Sequence, residues 1–397
     1  MKVLVCRCLS LILVLPVLAQ AQSVTRCGGP NNALYINWPT FQFDVCHTGY
    51  NPYEKTVSAS NVTSLRYWWT AQGSAVWTSL VVVNGTIYYR GIDGYLYADN
   101  AQTGQLIWKY YIHSNADFSN SPAVANGVVY IGGNDYNLYA IDAVTGVLRW
   151  TYKAPGTIAT ATVANGAVYF GTYEDGTNNG HVFALNATSG ALRWQYDGLQ
   201  SVASSPAVVN GLVYIGSNDG YLYALNAVTG TLLWRYHTLG SVASSPTVFN
   251  GVAYFGSDDS NVYALNATTG ALKWTFPADR PVEATAAIAN GVVYVSSGNY
   301  LSQAGTLYAL DAATGLPQWQ FATNHGSGSP LAVANGVVYA TSFDGTSAAV
   351  VAFDAASGTL LWNAGPQQTS PRWPILVNGV LYYSDSYFGV RAFHLQN

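Results

Sequence analysis

Pro206-Ala207-Val208-Val209-Asn210-Gly211-Leu212-Val213-Tyr214-Ile215-Gly216, then Asn218-Asp219-Gly220, then Tyr221-Leu222-Tyr223-Ala224-Leu225-Asn226-Ala227, then Thr229-Gly230 and Leu233-Trp234-Arg235-Tyr236 form one structural phrase. Asn210-Gly211 supplies the two positive-φ residues of a tight hairpin, so Pro206 to Val209 and Leu212 to Gly216 read as antiparallel neighbours. Asn218-Asp219-Gly220 turns the chain into a third strand, Tyr221 to Leu225. Ala227 to Gly230 make the next turn, with Thr229 able to bond local backbone and Gly230 free to adopt positive φ. Leu232 to Tyr236 complete an outer strand.

The phrase recurs. Asn-Gly pairs begin at residues 84, 126, 165, 210, 250, 290, 335 and 378, a period of 39 to 45 residues, which is one four-stranded blade per repeat. Seven copies of A-x-[DN]-A-x-[TS]-G-x-x-x-W end on Trp108, Trp150, Trp194, Trp234, Trp274, Trp319 and Trp362. The fixed Gly-to-Trp offset delivers each indole to the same place. A sheet with two apolar faces must cover both, so that place is expected between blades, in a structural role. The last repeat stops one strand short, whereas Ser64-Leu65-Arg66-Tyr67-Trp68-Trp69 reads as an outer strand with no blade before it. The expected fold is all-β, an eight-bladed β-propeller of four-stranded antiparallel blades, closed by the N-terminal strand completing the last blade.

Composition agrees, with only 9% charged residues among 397 and 39 glycines, which suits short strands and tight turns. Residues 1–21 read as a secretory signal: Lys2 and Arg7 supply charge, Leu9 to Leu18 an apolar run too short for a comfortable span, and Ala19-Gln20-Ala21 a small-residue cleavage site. An uncleaved anchor is the alternative. Residues 22–63 follow as an N-terminal extension and 64–397 as the propeller, with no integral membrane span expected. Export to the periplasm or the medium would leave Cys27 and Cys46, for which a single disulfide pinning the extension is the simplest reading and two buried thiols the other. Losing Lys2 and Arg7 takes the formal charge from −4 to −6, which offers no basic surface for nucleic acid. No zinc, Ser/His/Asp or phosphate-loop pattern is present, and no metal site is expected. The acidic hairpins at Asp93, Asp135, Glu174-Asp175, Asp219, Asp258-Asp259, Asp344 and Asp385 lack the oxygen density of a calcium loop.

The repeat resembles the pyrroloquinoline quinone (PQQ) repeat family of propellers, which includes quinoprotein dehydrogenases and the propeller lipoprotein of the BAM complex. The A-x-[DN]-A-x-[TS]-G-x-x-x-W phrase is similar to that family's tryptophan-docking motif, and Trp38-Pro39 through His47-Thr48-Gly49-Tyr50-Asn51-Pro52 to the family's N-terminal lead-in. The Gly-His and Trp-Asp signatures of WD40 repeats are absent. For dehydrogenases the resemblance implies calcium, a catalytic Asp and often two adjacent cysteines against the quinone; the expected mature part has no adjacent Cys pair and lacks long insertions between blades.

Propeller ligands usually sit at one end of the channel, on loops that enter the inner strands. Loop residues that break the repeat are therefore the candidates: Trp77 in the first blade, His113, Asp117 and Phe118 in the second, Arg280 and Glu283 in the sixth, His325 in the seventh, and Arg372 and Trp373 in the eighth. Arg280 and Glu283 replace the Ser and Ala of Ser201-Val202-Ala203 and Ser241-Val242-Ala243, so a charged pair there could hold an anion or a metal, or form a solvated salt bridge. The expectation is an exported, non-catalytic, monomeric scaffold that binds an envelope or extracellular protein and needs no cofactor. A calcium- and PQQ-dependent dehydrogenase of alcohols or aldose sugars is the alternative, and a carbohydrate-binding module using Trp77 and Trp373 the third.

Overall fold

The computed structural model describes residues 37–71, 73–113, 120–173, 179–298, 304–323, 330–343, 348–364 and 371–396, the side chains of 342, 343 and 348 excepted. They form eight sheets, each meandering from an inner to an outer strand, and the described residues contain one helical element, the 3-10 turn Val62–Ser64. Blades are numbered here by their Asn-Gly pairs. In blade 4 the strands are Ala207–Val209, Leu212–Gly216, Tyr221–Asn226 and Leu232–His237. Every Asn of the eight Asn-Gly pairs has a positive φ between 44° and 53°, as a two-residue hairpin with matching twist requires.

Ring closure follows the sequence reading. Leu65–Thr70 pairs antiparallel with Gly389–Leu395, with Tyr67 opposite Phe393, and completes blade 8 outside Pro371–Val377 and Val380–Asp385. The last blade thus combines both ends of the described chain and meets blade 1 in one apolar cluster with Leu65, Trp69, Val82 and Tyr382.

At seven of the eight seams an indole lies against the turn of the next blade. An ideal Cβ on Gly230 would come within 2.6 Å of Trp194 Cδ2, so this turn needs glycine for space as well as for its φ of +73°. The Trp194 N–H donates to the Ala227 carbonyl at 3.0 Å, and the Tyr169 hydroxyl donates to the same oxygen at 3.1 Å. Trp108, Trp150, Trp234, Trp274 and Trp319 repeat this arrangement, each with a tyrosine from its own blade. The tyrosine stands four residues after the Asn of each of the eight hairpin Asn-Gly pairs, a spacing as regular as that of the tryptophan. Each of these six seams therefore satisfies two donors with one carbonyl, which has two lone pairs.

The eighth indole is Trp69, packed on Gly104, where Tyr382 donates to Ala101 at 2.8 Å. At the seam between blades 7 and 8 no docking turn follows, and the extension takes its place. Glu54, fully buried, accepts the Gly379 N–H at 2.9 Å and the N–H groups of Thr56 and Val57. Tyr339 is left there with a buried hydroxyl that lacks a partner among the described residues.

The extension also runs through the middle of the ring. Its carbonyls at Trp38, Pro39, Val45, Cys46, Thr48 and Gly49 accept the N–H groups of Val82, Val124, Val208, Val248, Ile288 and Val333, the second residues of six inner strands. Asn51 Nδ2 then donates to Leu376 in blade 8, and Tyr50–Asn51 adds a short parallel strand to blade 7. Among the described residues, blade 3 receives no backbone bond from this segment. The inner strands' channel-facing donors, which would otherwise need water, are thereby paired by the chain itself.

His47 sits inside this plug, completely buried, with Nδ1 at 3.1 Å from the Pro246 carbonyl and Nε2 at 3.3 Å from Thr162 Oγ1. A carbonyl only accepts, so the proton is on Nδ1 and Nε2 accepts from the threonine. Burial pushes the imidazole pKa down to about 4, against the smaller opposing effect of the Pro246 bond. The unfolded chain, at about 6.5, binds more protons between those values, so stability is complete above pH 6.5 and falls as pH drops towards 4, by about 3 kcal/mol. Asn tolerates the positive φ at this position, +59°. Thermal unfolding of His47→Asn beside the parent from pH 7 to 4 is expected to show a shallower slope for the variant; equal slopes would refute this assignment.

Candidate functional site

Four-stranded meanders place the loops entering the inner strands and the hairpins between second and third strands at one end of the channel. The Asn-Gly hairpins and docking turns lie at the other. At the loop end a collar of small hydroxyls lines the channel: Ser79, Ser121, Thr160, Ser205, Ser245 and Thr285 occupy equivalent positions, all buried. Ser121 Oγ accepts the Ser79 N–H at 2.9 Å, Thr160 that of Ser121, Ser245 that of Ser205 and Thr285 that of Ser245, which ties consecutive blades together.

Blades 7 and 8 break the collar, with Pro330 and Trp373 at the equivalent position. Trp373 has a φ of +46° and stands beside a register irregularity between Arg372 and Ile375. A left-handed φ in a bulky residue is strained, and such strain persists where the surroundings over-determine it, often at sites that bind. The Arg372 guanidinium carbon lies 5.8 Å from the ring centroids of both Trp373 and Trp77, so ring closure brings together three residues from opposite ends of the chain. Trp77 is 36% exposed. The loop before it is tied to blade 8 by the Val76 N–H to the Asp385 carbonyl at 3.0 Å, and the following turn shows solvent Tyr387 and Phe388 where blade 4 has Asp219-Gly220. Arg391 sits 4.6 Å over the Phe388 ring and 3.5 Å from the buried Asp385 carboxylate. The result is an aromatic and cationic patch where blades 8 and 1 meet at the mouth.

Arg90 is a neighbouring cation that sequence reasoning did not single out. It is buried, its guanidinium donates to Asn120 and, at 2.5 Å, to Asn134, and burial lowers its pKa to about 10. The signal was present, because the equivalent residues of blades 2 to 5 are Gly132, Gly171, Gly216 and Gly256.

The sixth-blade candidates separate. Arg280 is exposed and helps hold the Asp279 carboxyl low; burial opposes ionisation there, but the hydroxyls of Ser297, Thr306 and Tyr308, then Arg280, outweigh it. Glu283 instead faces Asp258, whose carboxyl is pushed up by burial first and by the Glu283 charge second. His113 is exposed with a φ of +49° and lies edge-on to Tyr111 at 4.7 Å. Asp117, Phe118 and His325 lie outside the described residues, as do the expected leader and Cys27. Cys46 is fully buried. No group of three or more possible metal ligands occurs among the described residues, and none of their helices is long and apolar enough to cross a membrane.

A family model described as outer membrane protein assembly factor BamB matches residues 54–203 and 178–397. No curated protein matches the chain. Among solved structures, the chain is similar to the quinohemoprotein alcohol dehydrogenase ADHIIG of Pseudomonas putida HK5, with 19% identity and a TM-score of 0.75 over 91% of this chain and 80% of that one. It is similar to BamB of Moraxella catarrhalis, at 19% identity and a TM-score of 0.69 over 84% and 98%. A europium-containing methanol dehydrogenase gives 16% and 0.75 over 89% and 91%. At these identities the likeness is one of fold, and it spans enzymes and a protein named for assembly alike.

Proposed function

From the premise that this chain belongs to the family described as outer membrane protein assembly factor BamB, we propose that it is an exported, non-catalytic scaffold whose contact face is the channel mouth at blades 8 and 1. The observation that carries this reading is the Trp77–Arg372–Trp373 stack, in which Trp373 stands where six other blades carry a small hydroxyl. Tryptophan, tyrosine and arginine dominate binding energy at protein interfaces, and rings flanking a guanidinium keep it ordered before the partner arrives. The partner is a protein of the cell envelope or its surroundings, the scaffold itself is a monomer, and no cofactor is required. A Cys27–Cys46 disulfide tethers the extension; its support is that the Cys46 sulfur is buried and not a free thiol.

The test is stoichiometric co-purification of an envelope protein. Trp373→Ala and Arg372→Glu are each expected to weaken it at least tenfold without lowering the melting temperature, as befits central contact residues. Retention of the partner by both variants would count against this face. The same mouth suits a flat anion, which favours the dehydrogenase as second reading. Titration with micromolar PQQ plus calcium distinguishes them: a visible absorption change with dye reduction by alcohols or aldose sugars would replace the scaffold reading. Retention of a glycan by the parent but not by Trp77→Ala would point instead to a carbohydrate module.

A further inference from the structure

A cavity of about 770 Å³ lies at the opposite end of the ring, between the plug and the seam of blades 1 and 2. Its volume is that of a small-molecule pocket. The walls are mostly apolar, including Val83, Val124, Val163 and Tyr88, and the rim carries Ile107 and Val144, 51% and 79% exposed. Asp44 and Tyr88 are the ionisable residues on the wall, and both are engaged: the Asp44 carboxylate accepts from Cys46, Thr48 N–H and Thr48 Oγ1, and Tyr88 donates to Ala143.

The repeat provides its own comparison. Where blade 1 has Ile107, blades 2, 3 and 5 have Arg149, Arg193 and Lys273; where blade 2 has Val144, blades 3 and 5 have Thr188 and Thr268. At this seam both rim residues are apolar, so the opening is not a by-product of the fold.

Among the described residues, one polar group on the wall has no partner and a second is not reached by the plug. Thr40 is 5% exposed, and its Oγ1 finds no hydrogen bond among them. Val163 is the blade 3 equivalent of the six residues whose N–H is taken by the plug, and no backbone bond from the plug reaches it among the described residues. The plug turns away between Pro39 and Val45, and the cavity occupies the gap.

We infer that this cavity is a binding site for a neutral, mainly aliphatic molecule carrying one hydroxyl or amide group, which pairs with Thr40 Oγ1 or the Val163 N–H. An ionised head group finds no free countercharge on the wall and would lose hydration on entry. An uncharged chain buries apolar surface and its polar group can bond the unsatisfied Thr40 Oγ1 or the Val163 N–H that the plug does not reach.

1-Dodecanol is the probe, measured by displacement of the fluorescent dye N-phenyl-1-naphthylamine from the full chain. The parent is expected to release dye at micromolar dodecanol. Ile107→Arg with Val144→Thr, residues that sister blades already carry at these positions, is expected to weaken dodecanol at least tenfold with an unchanged melting temperature. Thr40→Val keeps the shape of the wall and is expected to weaken dodecanol about fivefold while leaving dye affinity unchanged. Val144→Arg alone, at an exposed turn, is a second block should the double variant fold poorly. Absence of dodecanol binding by the parent up to its solubility limit would overturn the inference, as would equal binding by the blocked variants. So would a parent that ignores dodecanol but dissociates from dimer to monomer on Val144→Arg, because the groove would then seat a second copy.

Discussion

A chain beginning at Ala71 is expected not to fold, whereas one beginning at Ser64 is expected to fold with reduced stability. The first lacks Leu65–Thr70, which leaves Gly389–Leu395 as an unpaired edge and removes Leu65 and Trp69 from the cluster that joins blades 8 and 1. Losing a buried indole alone costs about 3–5 kcal/mol, and opening the ring also exposes both faces of a seam, so the sum exceeds the usual stability of a domain. The second chain keeps the closing ribbon and loses the plug, the Glu54 contacts and the buried Val57 and Val62 side chains. Its inner-strand donors can turn to water in the open channel, so it should still unfold cooperatively at a lower temperature. Gel filtration and thermal unfolding of the two truncations distinguish closure from plugging. A cooperative transition in the chain from Ala71 would show that the ribbon is dispensable.

Gly230→Ala is expected to lower stability by about 3 kcal/mol, the sum of a left-handed alanine and a Cβ forced against Trp194. The indole cannot yield easily, because its N–H is held by Ala227 on the same turn that carries the glycine. Gly251, in an Asn-Gly hairpin with a φ of +75° and nothing within 4 Å of where a Cβ would stand, isolates the backbone part. Gly251→Ala should therefore cost only about 1 kcal/mol. Trp194→Ala alone should cost about 4 kcal/mol, yet in combination with Gly230→Ala the total should fall short of the sum, since removing the ring removes the clash. Urea unfolding of the four variants provides the cycle. Strict additivity would mean that glycine and indole do not share one contact.

These seams explain why the fold is legible in the sequence. Gly-x-x-x-Trp encodes both halves of one contact at a fixed offset, and Asn-Gly pairs mark the hairpins. Trp69, at the start of the ring, stands in an outer-strand phrase with no blade before it, which gives away the closure. The tyrosines that share the docking carbonyl keep an equally strict spacing, but a tyrosine in a strand is explained by strand preference alone and so attracts no notice.

The plug is another matter. Residues 37–51 follow no period, turn at Gln42, Phe43 and His47 with positive φ, and bond to backbone in seven different blades. Nothing in Trp38-Pro39 or His47-Thr48-Gly49 reports partners as distant as Val333. The mouth stands between these cases. Trp77, Arg372 and Trp373 are visible as departures from the repeat, but their meeting depends on blade 8 lying beside blade 1, and the left-handed Trp373 has no signature of its own. Arg280 and Glu283 show the converse: neighbours in sequence, they turn to Asp279 and Asp258 respectively.

Both the proposed mouth and the stability of the ring therefore rest on the pairing of the early ribbon with the last strand. Arg66 stands opposite His394 in that pairing, near its edge. Arg66→Cys combined with His394→Cys places two thiols at the separation of a cross-strand pair, within reach of a disulfide. Under mild oxidation, peptide mapping by mass spectrometry should recover the 66–394 cross-link within single chains and in high yield. Recovery of uncrosslinked thiols, or of the link only between chains, would contradict a ring closed by its own first ribbon.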